Sequence, residues 1–230
     1  MRELTCYSKR MSGFNRADLT SRRRLIADAG LAAAGLTLRP HWGSTAVRLA
    51  PAAQTNRQRT LDPRRPRLFA RAMAALDTHA DRIPNRDRLA VVDFAEPSRV
   101  PRFHLIDVGS GMVTTHLVAH GKGSDPDHSG WVQRLSNEPD SNASSRGAFV
   151  TAQTYFGKHG FSRRLEGLDP QNSMAESRGI VVHAASYVNE AMAAAQGLIG
   201  RSQGCFAVAD EEIREVLEWL GPGRLILAWK

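Results

Sequence analysis

Leu89-Ala90-Val91-Val92-Asp93-Phe94, Arg102-Phe103-His104-Leu105-Ile106-Asp107-Val108 and Met112-Val113-Thr114-Thr115-His116-Leu117-Val118 are short apolar, β-branched runs separated by proline and glycine. Runs of this kind predict strands, and Val108-Gly109-Ser110-Gly111-Met112 predicts the hairpin turn between the last two. Downstream, residues 147–155, 161–165, 179–183 and 224–229 carry the same signature. Helical spacing is confined to three places. Leu68, Ala72, Met73 and Leu76 predict a helix over 67–78, a small one fits 188–196, and Ile213, Val216, Leu217 and Leu220 share one face of 210–220. The expected fold is a mainly β domain with two or three peripheral helices. The polar stretch 121–145 between the two strand groups is long for a connection inside a compact domain, which marks it as functional or mobile.

Upstream of these elements the chain changes character. Thr20-Ser21-Arg22-Arg23-Arg24-Leu25-Ile26 matches a twin-arginine export pattern, followed by an alanine- and glycine-rich apolar run over 29–38. That run is too short to span a bilayer stably. Ala50-Pro51-Ala52 offers small residues for a signal peptidase, with Ala53 as the new N-terminus. The expected organisation is therefore a signal peptide over 1–52, a flexible lead-in over 53–66 and a folded domain over 67–230, in a periplasmic or otherwise exported protein. A basic amphipathic helix and a translation start at Met11 are alternative readings of the same leader. Residues 1–52 hold nine basic and three acidic side chains, out of 31 and 23 in the whole chain, so the remainder carries 22 against 20. The formal net charge of +8 is mostly leader. It is poor support for nucleic-acid binding, and no basic recognition helix or base-stacking strand accompanies it. No second apolar stretch is long enough to cross a membrane.

The chain has two cysteines, Cys6 in the leader and Cys205 in Gly200-Arg201-Ser202-Gln203-Gly204-Cys205-Phe206. After export, Cys205 is a lone thiol in an oxidising compartment, with no disulfide partner. It follows a glycine turn, and His183 ends an apolar run upstream. A thiol and a histidine are the minimum set for covalent acyl transfer. The bland reading is a small buried hydrophobe and a structural histidine.

Six ordered blocks weigh against the bland reading: His120-Gly121-Lys122-Gly123-Ser124, Ser144-Ser145-Arg146-Gly147-Ala148-Phe149, Tyr155-Phe156-Gly157-Lys158-His159-Gly160, Arg164-Leu165-Glu166-Gly167-Leu168, Arg178-Gly179-Ile180-Val181-Val182-His183 and the run ending at Cys205. Together they resemble the YkuD-type L,D-transpeptidase catalytic domain, in the murein L,D-transpeptidase branch. The resemblance implies that 67–230 is a catalytic domain with a β-sandwich-like fold, Cys205 as nucleophile and His183 as general base. It implies peptidoglycan stem peptides as partners, loss of the terminal D-alanine, and a thioester passed to an amine; carbapenem-type inhibitors are expected to acylate the same cysteine. No cofactor is implied. Main-chain N–H groups of Gln203, Gly204 and Cys205 are candidates for an oxyanion hole. Arg201 is a candidate for holding a substrate carboxylate, and Ser202 for orienting His183 or the substrate. His120, Ser124, Tyr155 and Arg178 are candidate pocket-lining residues, with loop-fixing or structural roles as the alternative. Relatives often have histidine or tryptophan where Gln203 stands and proline where Phe206 stands.

Other constellations fall away. His116 and His120 would be ~13 Å apart along a strand, and no Cys/His cluster completes a zinc site. Gly121-Lys122-Gly123-Ser124 lacks the glycine spacing of a phosphate loop. Three functional readings remain open: a transpeptidase, an L,D-carboxypeptidase giving the same thioester to water, and a decayed peptidoglycan-binding protein.

Overall fold

The computed structural model describes residues 59–60 and 66–230. The expected leader over 1–52 lies outside the described residues. In chain order the elements are β1 (Arg59–Thr60), α1 (Pro66–Thr78), β2 (Arg88–Asp93), β3 (Phe103–Asp107), β4 (Met112–His116), β5 (Gly147–Gly157), β6 (Gly160–Gly167), β7 (Val181–Ala184), α2 (Glu190–Gln196), β8 (Phe206–Val208), α3 (Ile213–Leu220) and β9 (Leu225–Trp229). The fold is mainly β with three helices, as the strand-rich pattern leads one to expect.

All nine strands join one sheet in the order β1-β4-β3-β2-β9-β5-β6-β7-β8. Neighbours are antiparallel except β2 with β9 and β7 with β8. The side-chain period of two splits each central strand between two cores. Ala90 and Val92 of β2 join Phe103, Phe149, Val182 and Phe206 in one. Leu89 and Val91 join Ala72 and Leu76 of α1 in the other. This two-faced burial explains why β2 reads as an unbroken apolar run.

The sheet is strongly curled. Five strand positions separate β2 from β8, which in a flat sheet would be ~24 Å. Yet the ring of Phe94, the residue after β2, lies stacked with Phe206 of β8 at 6.2 Å, and Phe149 meets Phe206 edge-on at 5.4 Å. The Ala119 N–H also donates to the Ala207 carbonyl at 2.8 Å, tying the chain after β4 to β8. The two ends of the sheet thus face each other across one apolar interior, a sandwich-like body with Val216, Leu217 and Leu220 of α3 buried in it.

Three differences from the sequence expectation bear on the site and the sheet. α3 begins at Ile213 rather than Asp210, because the Glu212 and Ile213 N–H groups both close on the Ala209 carbonyl in a turn first. β8 is a strand of three residues too short to leave a periodic signal. Within the lead-in, Arg59–Thr60 pairs with Val113 and Met112 of β4.

Candidate active site

The parallel pair β7/β8 sets the geometry. Val182 pairs with Phe206 and His183 with Ala207. Val182 and Phe206 point into the larger core, so His183 and Ala207 face the other side of the sheet, where Ala207 is buried in a smaller apolar cluster with Ala119, Val188 and Ile199. Cys205, one residue before Phe206, takes the same side as His183 and Ala207. The nucleophile candidate, just ahead of β8, and the base candidate on β7 therefore stand on the same side of the sheet, one diagonal step apart.

The Cys205 thiol is half-buried, with its sulfur 3.5 Å from the Gly179 carbonyl. Burial pushes the thiol pKa up. The Val181 N–H, the charges of Lys158 and Arg178, and the N–H of Cys205 itself pull the other way without cancelling the shift. His183 is 2% exposed. Its Nδ1 lies 2.7 Å from the Ala184 carbonyl, which only accepts, so Nδ1 carries the hydrogen and Nε2 keeps its lone pair. Burial lowers the imidazole pKa below its ordinary 6.5; the Ala184 carbonyl opposes this, and the charges of His159 and Lys158 add to it. Both groups are therefore neutral near pH 7. Among the described residues no hydrogen bond joins the sulfur to the imidazole. The resting site is a thiol beside a free base, rather than a preformed ion pair.

The turn that presents Cys205 is held from below. The Ser202 N–H donates to the His120 carbonyl (2.9 Å), and the Lys122 N–H to the Ser202 carbonyl (2.8 Å). Ser144 Oγ accepts from the Gly121 N–H (3.0 Å) and donates to the Gly204 carbonyl (3.2 Å). The backbones approach so closely that a Cβ on Gly121 would lie 2.2 Å from the Asn142 carbonyl oxygen and 2.7 Å from the Gly204 nitrogen. Gly204 itself has φ +117°, and its Cβ would meet the Ala143 carbonyl oxygen at 2.8 Å. Only glycine fits both positions without displacement.

This arrangement redistributes the roles expected from sequence. Ser202 Oγ accepts from the Gly204 N–H (3.1 Å) and donates to the Cys205 carbonyl (2.8 Å), so it orders the turn and touches neither His183 nor open space. The Gly204 N–H is thereby occupied. The Gln203 N–H has no protein acceptor among the described residues. Arg201 Nη1 donates to the Asp125 and Pro126 carbonyls, which anchors the turn instead of leaving a guanidinium for a carboxylate.

His120 and Ser124 are fully buried, so they support the turn and line no pocket. Ser124 Oγ accepts from the Ser144 N–H (3.0 Å). His120 bridges Arg102 (Nη2 to Nδ1, 2.7 Å) and Asp125 (Nε2 to Oδ2, 3.3 Å). A guanidinium only donates, so Nδ1 accepts and Nε2 carries the hydrogen. Burial, reinforced by the Arg102 charge, holds the His120 pKa down to about 4. Burial also brings the Arg102 guanidinium down to about 9. Arg178 donates to the Ser136 carbonyl (2.9 Å), Ser145 Oγ (2.7 Å), Ser141 Oγ (3.2 Å) and the Ala143 carbonyl, pinning the long loop while its charge acts on Cys205. Tyr155 lies with Arg164 over its ring at 4.3 Å.

The structure adds His159, whose ring stacks on His183 at 4.3 Å and 23°, and Lys158, whose charge acts on both Cys205 and His183. Their signal was the Gly157-Lys158-His159-Gly160 turn, which shows a hairpin tip but not where the tip lands. Arg102 and Asp125 were likewise invisible as partners of His120. Among the described residues no group of three or more His, Cys, Asp or Glu could hold a metal ion, and no helix is long and apolar enough to cross a membrane.

Among solved structures, the chain is similar to an L,D-transpeptidase from Mycobacterium smegmatis, at 14% identity and a TM-score of 0.40, over 63% of this chain and 59% of that one. It is similar to L,D-transpeptidase 3 from Mycobacterium tuberculosis in complex with a faropenem-derived adduct, at 12% identity and a TM-score of 0.40, covering 63% and 60%. A third is the L,D-transpeptidase of Xylanimonas cellulosilytica, at 19% identity, a TM-score of 0.37 and 69% of each chain. The matched region thus spans less than two thirds of the first two proteins. No curated protein matches the chain. The family model of the L,D-transpeptidase catalytic domain, in its YkuD type, matches residues 62–229, nearly the whole described body. The chain belongs to the L,D-transpeptidase catalytic domain family.

Proposed function

We propose that this protein is an exported cysteine acyl-transferase that crosslinks peptidoglycan stem peptides through a thioester on Cys205. The observation that carries the reading is the placement of Cys205, at the entry to β8, on the same side of the parallel β7/β8 pair as His183, whose Nε2 keeps its lone pair. The thiol sulfur attacks the carbonyl of the stem's third residue while His183 Nε2 takes the thiol proton. The amide C–N bond breaks, the imidazolium gives that proton to the departing nitrogen, and the terminal D-amino acid leaves as a free amine. An acceptor amine then attacks the thioester, loses a proton to Nε2, and restores the thiol. The Gln203 and Cys205 N–H groups are the donors left for the oxyanion, and loss of one such donor typically costs ~3 kcal/mol of transition-state stabilisation. The twin-arginine pattern supports export, where the substrate is and where a lone thiol escapes pairing.

The test is mass spectrometry of a synthetic tetrapeptide stem incubated with the protein and an acceptor amine. The expected products are free D-alanine and a crosslinked dimer, both absent with Cys205→Ala. Release of D-alanine with a trimmed tripeptide and no dimer would make the protein a carboxypeptidase. Retained binding of stems without release would point to a decayed site.

A further inference from the structure

The charges of Lys158 and Arg178 act on Cys205, and Arg201 lies in the turn that presents it; both arginines are already engaged. Arg201 is turned to backbone carbonyls, and Arg178 is held by four acceptors in the 136–145 loop. Lys158 is exposed, and among the described residues its ammonium has no hydrogen-bond or ion-pair partner. Its backbone is nonetheless fixed. Gly157 pairs with Gly160 across the hairpin, and Gly160 takes φ +73° to close the turn. The neighbouring His159 ring rests on His183, which brings the hairpin tip to the site. The Lys158 charge is felt by the sulfur and by the imidazole.

We infer that Lys158 is the anchor for the α-carboxylate of the departing C-terminal D-amino acid, and so selects stem ends over internal peptide bonds. The inference rests on the acyl-transfer reading of Cys205. When the scissile carbonyl sits at the sulfur, the carboxylate of the leaving residue lies about one Cα step, ~3.8 Å, further along the chain. An internal bond or a capped end presents no anion there. A flexible ammonium on a fixed turn suits a small, mobile carboxylate better than an engaged guanidinium does.

The test compares two alkylating agents on Cys205, anionic iodoacetate and neutral iodoacetamide, in the full chain and in Lys158→Gln, Lys158→Arg and Arg164→Gln. Any change in thiol ionisation affects both reagents equally, so the ratio of their rates isolates anion docking. The ratio is expected to fall about five-fold in Lys158→Gln, as for a partly exposed ion pair. It is expected to hold in Lys158→Arg and in Arg164→Gln, which loses a charge elsewhere on the sheet. In parallel, Lys158→Gln raises KM for a tetrapeptide ending in free D-alanine and leaves its C-terminal amide unchanged. An unchanged ratio in Lys158→Gln overturns the anion site. A ratio that falls in Lys158→Gln, beside a wild type that cleaves no stem, keeps the anion site and overturns its assignment to a leaving residue.

Discussion

Gly204→Ala places one methyl group where the structure has no room. Gly204 adopts φ +117°, outside the region open to L-residues. A Cβ there would lie 2.8 Å from the Ala143 carbonyl oxygen, 2.9 Å from Ile180 Cδ1 and 3.3 Å from Arg178 Nη2. The backbone conformation alone costs ~1–3 kcal/mol for a residue with a side chain. Forcing apart a close-packed contact adds ~1–3 kcal/mol, because the first obstacle is a backbone atom and cannot rotate away. Together these give about 2–6 kcal/mol, or roughly 4–24 °C in Tm for a domain of this size. Gly160→Ala is the control. Its φ is +73° and nothing lies within 4 Å of the added methyl, so it carries only the backbone cost. The assay is a thermal melt of both variants, with the rate of covalent modification of Cys205 by a carbapenem measured beside it. Gly204→Ala should melt well below Gly160→Ala and modify far more slowly, since the strain falls on the residue before the nucleophile. A Gly204→Ala protein that melts with Gly160→Ala and reacts at the wild-type rate would refute the reasoning.

Two further outcomes follow from the charged groups. Burial raises the Cys205 pKa and lowers that of His183, so the rate of Cys205 alkylation by iodoacetamide should keep rising with pH beyond the ordinary thiol range; a plateau already reached at pH 6 would instead mean a preformed thiolate–imidazolium pair. His120 has a folded pKa of about 4 against 6.5 when free, so its contribution to stability is complete above pH 6.5 and is lost as pH falls toward 4. The loss is about 3 kcal/mol, seen as a falling denaturation midpoint between those pH values; His120→Gln should remove the slope, and a wild type with equal stability at both ends contradicts the assignment.

The sequence made the strands legible wherever a run of residues served a paired, half-buried or doubly buried ladder. β2, β3, β4 and β5 each carry enough residues for the pattern to repeat. β8 does not, and its parallel partner β7 lies more than twenty residues upstream, so nothing local announces the pair. Cys205 and His183 stood out through the six blocks that resemble the family, since a lone cysteine or histidine beside an apolar run reads first as structural. Arg201 and Ser202 were legible as site neighbours, but not as members of the turn that presents the thiol. Their hydrogen bonds run to Asp125, Pro126, Gly204 and Cys205 through a fold that brings residues 75 positions apart together. The same holds for Arg102, His120 and Asp125. A buried cation needs acceptors, but the sequence does not say which distant carboxylate or carbonyl supplies them. His159 reached the site through the length of the β5–β6 hairpin, a quantity set by sheet register rather than by composition.

The most direct test of the account is intact-mass spectrometry of the protein after incubation with a carbapenem, with Cys205→Ala and His183→Ala alongside. The account predicts a single covalent adduct on the wild type, none on Cys205→Ala, and strongly slowed formation on His183→Ala at neutral pH. A folded wild-type protein whose thiol titrates normally but takes no adduct, or an adduct that survives Cys205→Ala, would contradict it.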